Sequence, residues 1–450
     1  MRIHFIAIGG SAMHNLAIAL HKKGFTVSGS DDFIFEPSKS RLERHGILPA
    51  TLGWMESNIT PDLDAVILGM HAFPDNPELL KAQAMGIKVY SYPEYVYEQS
   101  KEKLRVVIGG SHGKTTITSM ILHVLNFYGR DFDYLVGAQL EGFDTMVKIT
   151  DSAPVIIIEG DEYLASPIDR RPKFHLYKAD IGVISGIAWD HINVFPTFEN
   201  YSNQFSLFID TIKPGGKLIY CSLDPEVDEL VESTDAKVEK IPYGIPAHEV
   251  INGVTYLLPE KTALSVFGDH NLMNLNAAKL VCFQLGIAEQ EFQDAIKSFK
   301  GAAKRLELLS SMEQTNVYKD FAHSPSKLKA TIDAVKLQYP ERKLVACIEL
   351  HTFSSLNKEF LQQYEYTMDK ADVAIVYIDE QTFLLKKIIP YAESDVRIAF
   401  KNDTLLFFDN PDKLSDFLLE MNFSKSNLLL MSSGNFSGID LIKLARKLKI

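Results

Sequence analysis

The chain has 450 residues, of which 46% are hydrophobic and 23% charged, and a formal net charge of −12. That length exceeds one ordinary core and implies two to four domains, in a composition normal for a soluble globular protein. The acidic balance leaves nothing to neutralise a nucleic-acid backbone or an anionic bilayer, although a local cationic pocket for a small anion stays open.

The opening residues, MRIHFIAIGG, hold one short apolar strand and lack the long apolar stretch of a signal peptide. IHFIAI predicts a strand, GGSAM a turn into a helix running to about Lys23, and Gly24 the helix stop. FTVSGSDD then reads as a second strand ending in acids. DAVILG and KVYSY repeat the strand pattern, with PELLKAQAMG as a helix between them. Such alternation predicts a parallel, doubly wound sheet. In its first turn, Gly9, Gly10, Ser11, Ala12 and Met13 are followed by Asp31 after the next strand. Backbone N–H groups at a helix start suit a phosphate, and the carboxylate suits sugar or base hydroxyls. G-x-G-x-x-G is absent, however, and a bare tight turn explains the stretch equally well. The polar segment EQSKEKLR, residues 98–105, marks the first boundary.

A second α/β unit starts at LRVVIGG and continues through VIIIEGDE, IGVISGI and GKLIYCS. Its first turn, GGSHGKTT, lies between a strand and a helix, and GKTT is the signature of a polyphosphate loop. Counting five back from Gly113 lands on Ile108, so the loop is shorter than G-x-x-x-x-G-K-[ST]. Backbone N–H groups of 110–115 and the Lys114 ammonium would surround phosphate oxygens, and the Thr115 hydroxyl would ligate Mg²⁺. An ordinary helix start with a chance lysine is the plainer alternative. Glu159, Asp161 and Glu162 follow an apolar strand, where the ends of parallel strands line a ligand crevice; Glu159 is the expected metal ligand. Asp190 and His191 follow another apolar run, and alone such a pair is structural. In GDHNLMNLNAAK, His270, Asn271 and Asn274 fall within about one helical turn; side-chain amides suit a purine edge, and a polar helix cap would look the same.

GAAKRLELL, residues 301–309, marks a second boundary and carries Arg305. Beyond it, KLVACIEL, DVAIVYI and NLLLMSSG predict strands of a third α/β unit, and DFAHSPS places Asp320 and His323 at a strand end. Three cysteines, Cys221, Cys282 and Cys347, lie far apart with no CxxC, which fits a reducing cytoplasm. No run approaches the roughly 20 apolar residues of a membrane span. The expectation is a cytoplasmic protein of three α/β domains, 1–101, 102–302 and 303–450.

IGGSAM…GSD, GSHGKTT, EGDEY, WDHINVF, GDHNLMN, GAAKRLE, DFAHSP and SSGNFSGI occur in the order and approximate spacing of one family. The chain resembles the Mur ligases, ATP-dependent amide-forming enzymes of bacterial peptidoglycan metabolism, along its whole length. The resemblance implies a Rossmann-like UDP-binding domain, a central P-loop ATPase-type domain and a C-terminal Rossmann-like domain. It is strongest to the branch that accepts UDP-N-acetylmuramate. There, EGDEYLASPIDRRPKF and SSGNFSGI are more similar to the murein tripeptide ligases, whereas L-alanine ligases usually carry serine at the position of Tyr163.

The resemblance further implies that ATP phosphates are held by Gly110, Ser111, His112, Gly113, Lys114, Thr115 and Thr116, with Arg305 reaching them from the domain junction. Asn271 and Asn274 would contact adenine, supported by His270, and Asp320 would bind ribose. Thr115 and Glu159 would hold one Mg²⁺ and His191 a second. Gly9 to Met13, Asp31 and His71 would hold the UDP-sugar, and His323, Ser324 and His351 the incoming amine. Two positions depart from the family pattern: Thr352 stands where arginine often follows the histidine, and Ser324 where a second histidine is common. The amine therefore stays open between the tripeptide L-alanyl-γ-D-glutamyl-meso-diaminopimelate and L-alanine. A monomer or weak homodimer is expected. A folylpolyglutamate-synthase-like ligase is disfavoured by the UDP-type first domain, and a non-catalytic nucleotide-binding regulator by the retained Lys114, Thr115, Glu159 and His191.

Overall fold

The alternating apolar strands and amphipathic helices fold into parallel-dominated sheets. The computed structural model describes residues 1–140, 142–189, 194–302 and 305–449. By their contacts these residues form two units. One comprises Met1–Trp189, Val194–Gly244 and Ala277–Phe292; the other comprises Ile245–Asn276 and the described chain from Gln293 onward.

Within the first unit, β1 (Arg2–Ile6), β2 (Thr26–Ser30), β3 (Ala65–Leu68) and β4 (Val89–Ser91) form a parallel sheet in the order β2-β1-β3-β4. Side chains alternate between its faces: Ile3, Phe5, Ala65 and Ile67 join one apolar cluster, and Ile6, Val66 and Leu68 the other. All four residues of β3 are buried, as expected for a parallel strand covered on both sides. His4 interrupts the apolar pattern. Its ring lies 3.3 Å from Glu78, which also accepts from Asn58 at 2.7 Å and from the Met55 amide at 2.9 Å. A buried carboxylate thus ties three separate segments together.

The same unit holds a seven-stranded sheet: β5 (Leu104–Gly109), β6 (Asp133–Leu135), β7 (Val147–Lys148), β8 (Val155–Glu159), β9 (Ile181–Ile184), β10 (Lys217–Cys221) and β11 (Glu239–Tyr243). Its order is β11-β10-β9-β5-β8-β6-β7, and β7 alone of these runs antiparallel to its neighbour. The chain moves one way from β5 to β6 and the other way from β9 to β11. That reversal leaves a crevice beyond the carboxyl ends of β8, β5 and β9. In register, Ile108 pairs with Glu159 and Gly109 with Ile184, so the loops after the three strands meet there.

In the second unit, β12 (His248–Ile251), β13 (Val254–Leu257) and β14 (Thr262–Leu264) make an antiparallel meander absent from the sequence reading. Its strands are three or four residues long and partly exposed, so they carry no strong apolar run. The larger sheet contains β15 (Glu307–Met312), β16 (Thr315–Asp320), β17 (Lys343–Glu349), β18 (Val373–Tyr377), β19 (Leu406–Phe408) and β20 (Ser426–Met431), ordered β15-β16-β20-β17-β18-β19. Only β15 is antiparallel. Leu344, Ala346 and Ile348 of β17 pack on one side, and Val345 and Cys347 on the other. Cys221, Cys282 and Cys347 are buried free thiols. Among the described residues, no helix is long and apolar enough to cross a membrane.

Candidate functional site

The loop after β5 is built around glycine. Gly110 has φ 127°, and a Cβ there would lie 2.9 Å from the Ser185 nitrogen. Gly113 has φ 74° and starts the helix Lys114–Phe127 with no side-chain cap. Glycine reaches such left-handed angles without the steric penalty of other residues. Ser111 is pinned to the loop after β9: its amide donates to the Gly186 carbonyl at 2.9 Å, and its hydroxyl accepts from the Ala188 amide at 2.7 Å. The uncapped amides at the helix start and the cationic side chain beside them have the chemistry to hold an anion.

The Lys114 ammonium donates to the Gly110 carbonyl and to Glu162, both at 2.6 Å. Glu162 is buried and accepts from the Tyr201 hydroxyl at 3.2 Å. Burial pulls the lysine pKa down, but Glu162, Asp161 and Glu159 outweigh it and hold the pKa above its ordinary value. Thr115 donates to Glu159 at 2.8 Å, and the other Glu159 oxygen accepts from the Gly137 amide at 2.7 Å. Asp161 instead pairs with Lys173 at 2.6 Å. Of the three acids read from EGDE, one meets the threonine, one meets Lys114 and one pairs with Lys173. Gly137, Tyr201 and Ser185 escaped the sequence reading because their signal is spatial; each is ordinary in its own segment.

The threonine hydroxyl and Glu159 carboxylate fit a small hard cation that takes its remaining oxygens from phosphate and water. Among the described residues, no group of three or more His, Cys, Asp and Glu side chains is gathered to hold a metal by itself. His191, expected at a second ion, and its neighbour Asp190 lie outside the described residues.

At the end of β1, the Gly9 amide donates to Asp31 at 2.7 Å, and a Cβ on Gly9 would lie 2.9 Å from the same carboxylate oxygen. Burial raises the Asp31 pKa, the amides of Gly9 and Phe33 counter it, and Asp32 adds to the rise. The helix Ser11–Lys22 starts at Gly10 with no side-chain cap. His71 lies beside this turn, its Nδ1 3.6 Å from where a Gly10 Cβ would stand. Met13 is buried, whereas Ser11 is exposed. Asp31 after β2 and His71 after β3 thus approach the Gly9–Gly10 turn, though Asp31 spends an oxygen on the turn itself.

In the second unit, Asn271 donates to the Phe267 carbonyl at 3.0 Å and, like Asn274, is buried. Burial pushes the His270 pKa down to about 4, so the ring is neutral at neutral pH. The Arg305 guanidinium lies over the Phe321 ring at 4.4 Å. Asp320 ends β16 and accepts from the amides of Leu306 and Ala322, both at 2.6 Å. Burial raises its pKa, opposed by Arg305 and those amides. Its carboxylate therefore already braces the chain where it enters the sheet. His323 Nδ1 lies 2.8 Å from the Phe321 carbonyl, and Ser324 precedes the helix Pro325–Gln338. His351 stands two residues beyond β17, against Gly434 from the loop after β20.

The model of the Mur ligase family, catalytic domain, matches residues 2–103, and that of the Mur ligase middle domain matches residues 108–282. A UDP-N-acetylmuramate–L-alanine ligase of Clostridium kluyveri is 32% identical over 413 residues, which are 88% of this chain and 85% of the relative. Among solved structures, UDP-N-acetylmuramate–alanine ligase from Thermotoga maritima has a TM-score of 0.68 at 19% identity, covering 99% of this chain and 97% of that one. A murein peptide ligase from Psychrobacter arcticus has a TM-score of 0.63 at 22% identity, covering all of both chains. These likenesses to solved structures concern the fold, which is that of three-domain α/β ligases.

Proposed function

Because the chain belongs to the Mur ligase family, whose members are ATP-dependent ligases forming carbon–nitrogen bonds, we propose that it joins the carboxylate of UDP-N-acetylmuramate to an incoming amine. The observation that carries this reading is the constellation of Lys114, Thr115, Glu159 and Glu162 at the carboxyl ends of β5 and β8. The domains are taken as 1–101 for the UDP-sugar, 102–302 for ATP and 303–450 for the amine.

A carboxylate does not acylate amines at neutral pH, because its leaving group would be oxide. Transfer of the γ-phosphoryl of ATP to that carboxylate gives an acyl phosphate and ADP; attack by the free amine then expels phosphate and leaves the amide. Two anions must meet in the first step, so catalysis is chiefly positioning and charge neutralisation. Lys114 exchanges Glu162 for phosphate oxygens, the amides from Gly110 to Thr115 orient the phosphates, and Arg305 adds a second cation. Mg²⁺, when bound through Thr115 and Glu159, supplies further neutralisation of phosphate charge. Asn271 and Asn274 are assigned to adenine with His270 beside them, and Asp320 to ribose. Gly9, Gly10, Ser11, Ala12, Met13, Asp31 and His71 are assigned to UDP-N-acetylmuramate, and His323, Ser324 and His351 to the amine. A second Mg²⁺ at His191 belongs to the same reading.

For the amine, EGDEYLASPIDRRPKF supports the tripeptide L-alanyl-γ-D-glutamyl-meso-diaminopimelate, which would place the reaction in wall recycling. The Leu164–Pro172 bridge and the Lys173–Asp161 pair fold this segment back beside the phosphate loop. A second reading, L-alanine, is favoured by the likeness to the UDP-N-acetylmuramate–L-alanine ligase of Clostridium kluyveri. Phosphate release with ATP, UDP-N-acetylmuramate and each amine in turn decides. Turnover with the tripeptide supports the first reading, and turnover with L-alanine alone replaces it with the second. No phosphate with either overturns the ligase assignment on a muramate substrate.

A further inference from the structure

We propose that Tyr318 and Tyr339 are positioning residues that act through Phe267 to fix the Asn271 amide, and so set which purine the site accepts; the inference rests on the reading above, in which Asn271 meets adenine. Phe267 and Gly268 lead from the meander β12–β14 into the helix Asp269–Gln284. The Asn271 Nδ2 donates to the Phe267 carbonyl at 3.0 Å. A carbonyl only accepts, so this bond leaves the amide one orientation, with its nitrogen toward Phe267 and its oxygen away. Among the described residues that oxygen has no donor. The exocyclic amino group of adenine is a donor, whereas hypoxanthine and guanine carry a carbonyl oxygen at the same place. An amide held this way offers adenine an acceptor and meets the other two bases oxygen against oxygen.

The orientation holds only if the Phe267 carbonyl is itself held, and two tyrosines do this. The Phe267 ring meets Tyr318 edge-on at 5.7 Å and Tyr339 at 6.0 Å, with interplanar angles of 73° and 80°. Tyr318 lies on β16, and Tyr339 follows the helix Pro325–Gln338. Their hydroxyls are 2.9 Å apart, and Tyr318 also accepts from Asn316 at 3.0 Å. The Arg342 guanidinium lies 4.5 Å from the Tyr339 ring centre. Gly268 has φ 85°, and a Cβ there would overlap Ala334, so the loop is drawn tight onto the same helix. Beside it, buried Gln338 accepts from Thr255 at 3.0 Å and donates to the Gly253 carbonyl at 2.8 Å. A meander of such short strands gains rigidity from the helix it packs on. Ring, glycine and glutamine contacts together fix the position and the rotation of the Phe267 peptide, on which the Asn271 amide depends.

The test compares phosphate release from ATP and from inosine triphosphate in wild type, Tyr339→Leu and Tyr339→Phe. Wild type is expected to prefer ATP about ten-fold or more in kcat/KM. Tyr339→Leu loses the ring beside Phe267; the preference should fall about five-fold, with a raised KM for ATP and a KM for the amine near wild type. Tyr339→Phe keeps the ring and should keep most of the preference. A Tyr339→Leu enzyme that melts earlier but retains the full preference for ATP overturns the inference, because a purely structural tyrosine would behave that way. Should Tyr339→Leu not fold, Gln338→Leu carries the same comparison with the same two outcomes. Equal use of both nucleotides by wild type overturns the inference and leaves the ligase reading standing. No phosphate from either nucleotide, with L-alanine or with the tripeptide, overturns both.

Discussion

Lys114 lies 2.6 Å from Glu162, and the glutamate is itself held by Tyr201. The Lys114 side chain is largely withdrawn from solvent, and a cation so placed needs a partner. Glu162 supplies one while keeping the ammonium in the loop; on the proposed reading, an incoming nucleotide would meet a lysine already in place. Its competitor is one carboxylate, against the several charged oxygens of a triphosphate.

Lys114→Ala is expected to reduce ATP-dependent phosphate release by at least about a hundred-fold, the scale of losing one preorganised charge at developing negative charge. Circular dichroism should show the fold retained. Full activity in that folded variant would remove the phosphate loop from the mechanism.

Glu159→Ala leaves Thr115 and the Gly137 amide without their shared acceptor. The Mg²⁺ concentration for half-maximal activity should rise sharply. An Mg²⁺ titration that superposes on wild type would exclude Glu159 as a ligand.

Gly110→Ala asks alanine to hold φ 127° with its Cβ 2.9 Å from the Ser185 nitrogen. Strain of about 1–3 kcal/mol is expected, visible as a lower thermal midpoint together with a weakened KM for ATP. A midpoint equal to wild type would mean that the loop yields more readily than its contacts imply.

Glu78 gives a pH prediction. Burial raises its pKa, but hydrogen bonds from His4, Ser30, Met55 and Asn58 outweigh that and leave it below the ordinary carboxyl value. A folded-state pKa below the unfolded one, about 4.3, stabilises the fold above that pH, and the contribution is lost as pH falls through the folded value. Glu78→Gln should therefore lower stability at neutral pH and flatten the acid limb of the unfolding profile. An acid limb as steep as wild type would show that other carboxylates dominate it.

Much of this molecule is legible in its sequence because local physics writes it there. RIHFI, LRVVIG and KLVACIE form strands, their apolar runs matching parallel strands covered on both faces, although IHFIAI leaves the strand after Ile6. GKTT opens a helix after a glycine turn as its pattern requires. The short strands from His248 to Leu264 were not legible, being too brief and too exposed to carry a period.

The sequence by itself determined the kinds of chemistry present: a lysine and a threonine after a glycine turn, acids after a buried strand, and histidines and an aspartate in later loops. Only the tertiary structure decided their partners. EGDE offers three acids within four residues, and nothing local distinguishes them. Glu159 meets Thr115 because β8 is hydrogen-bonded beside β5, Glu162 meets Lys114 one turn of chain later, and Asp161 faces Lys173. Strand order is a long-range outcome of packing, and it converts residue types into a site.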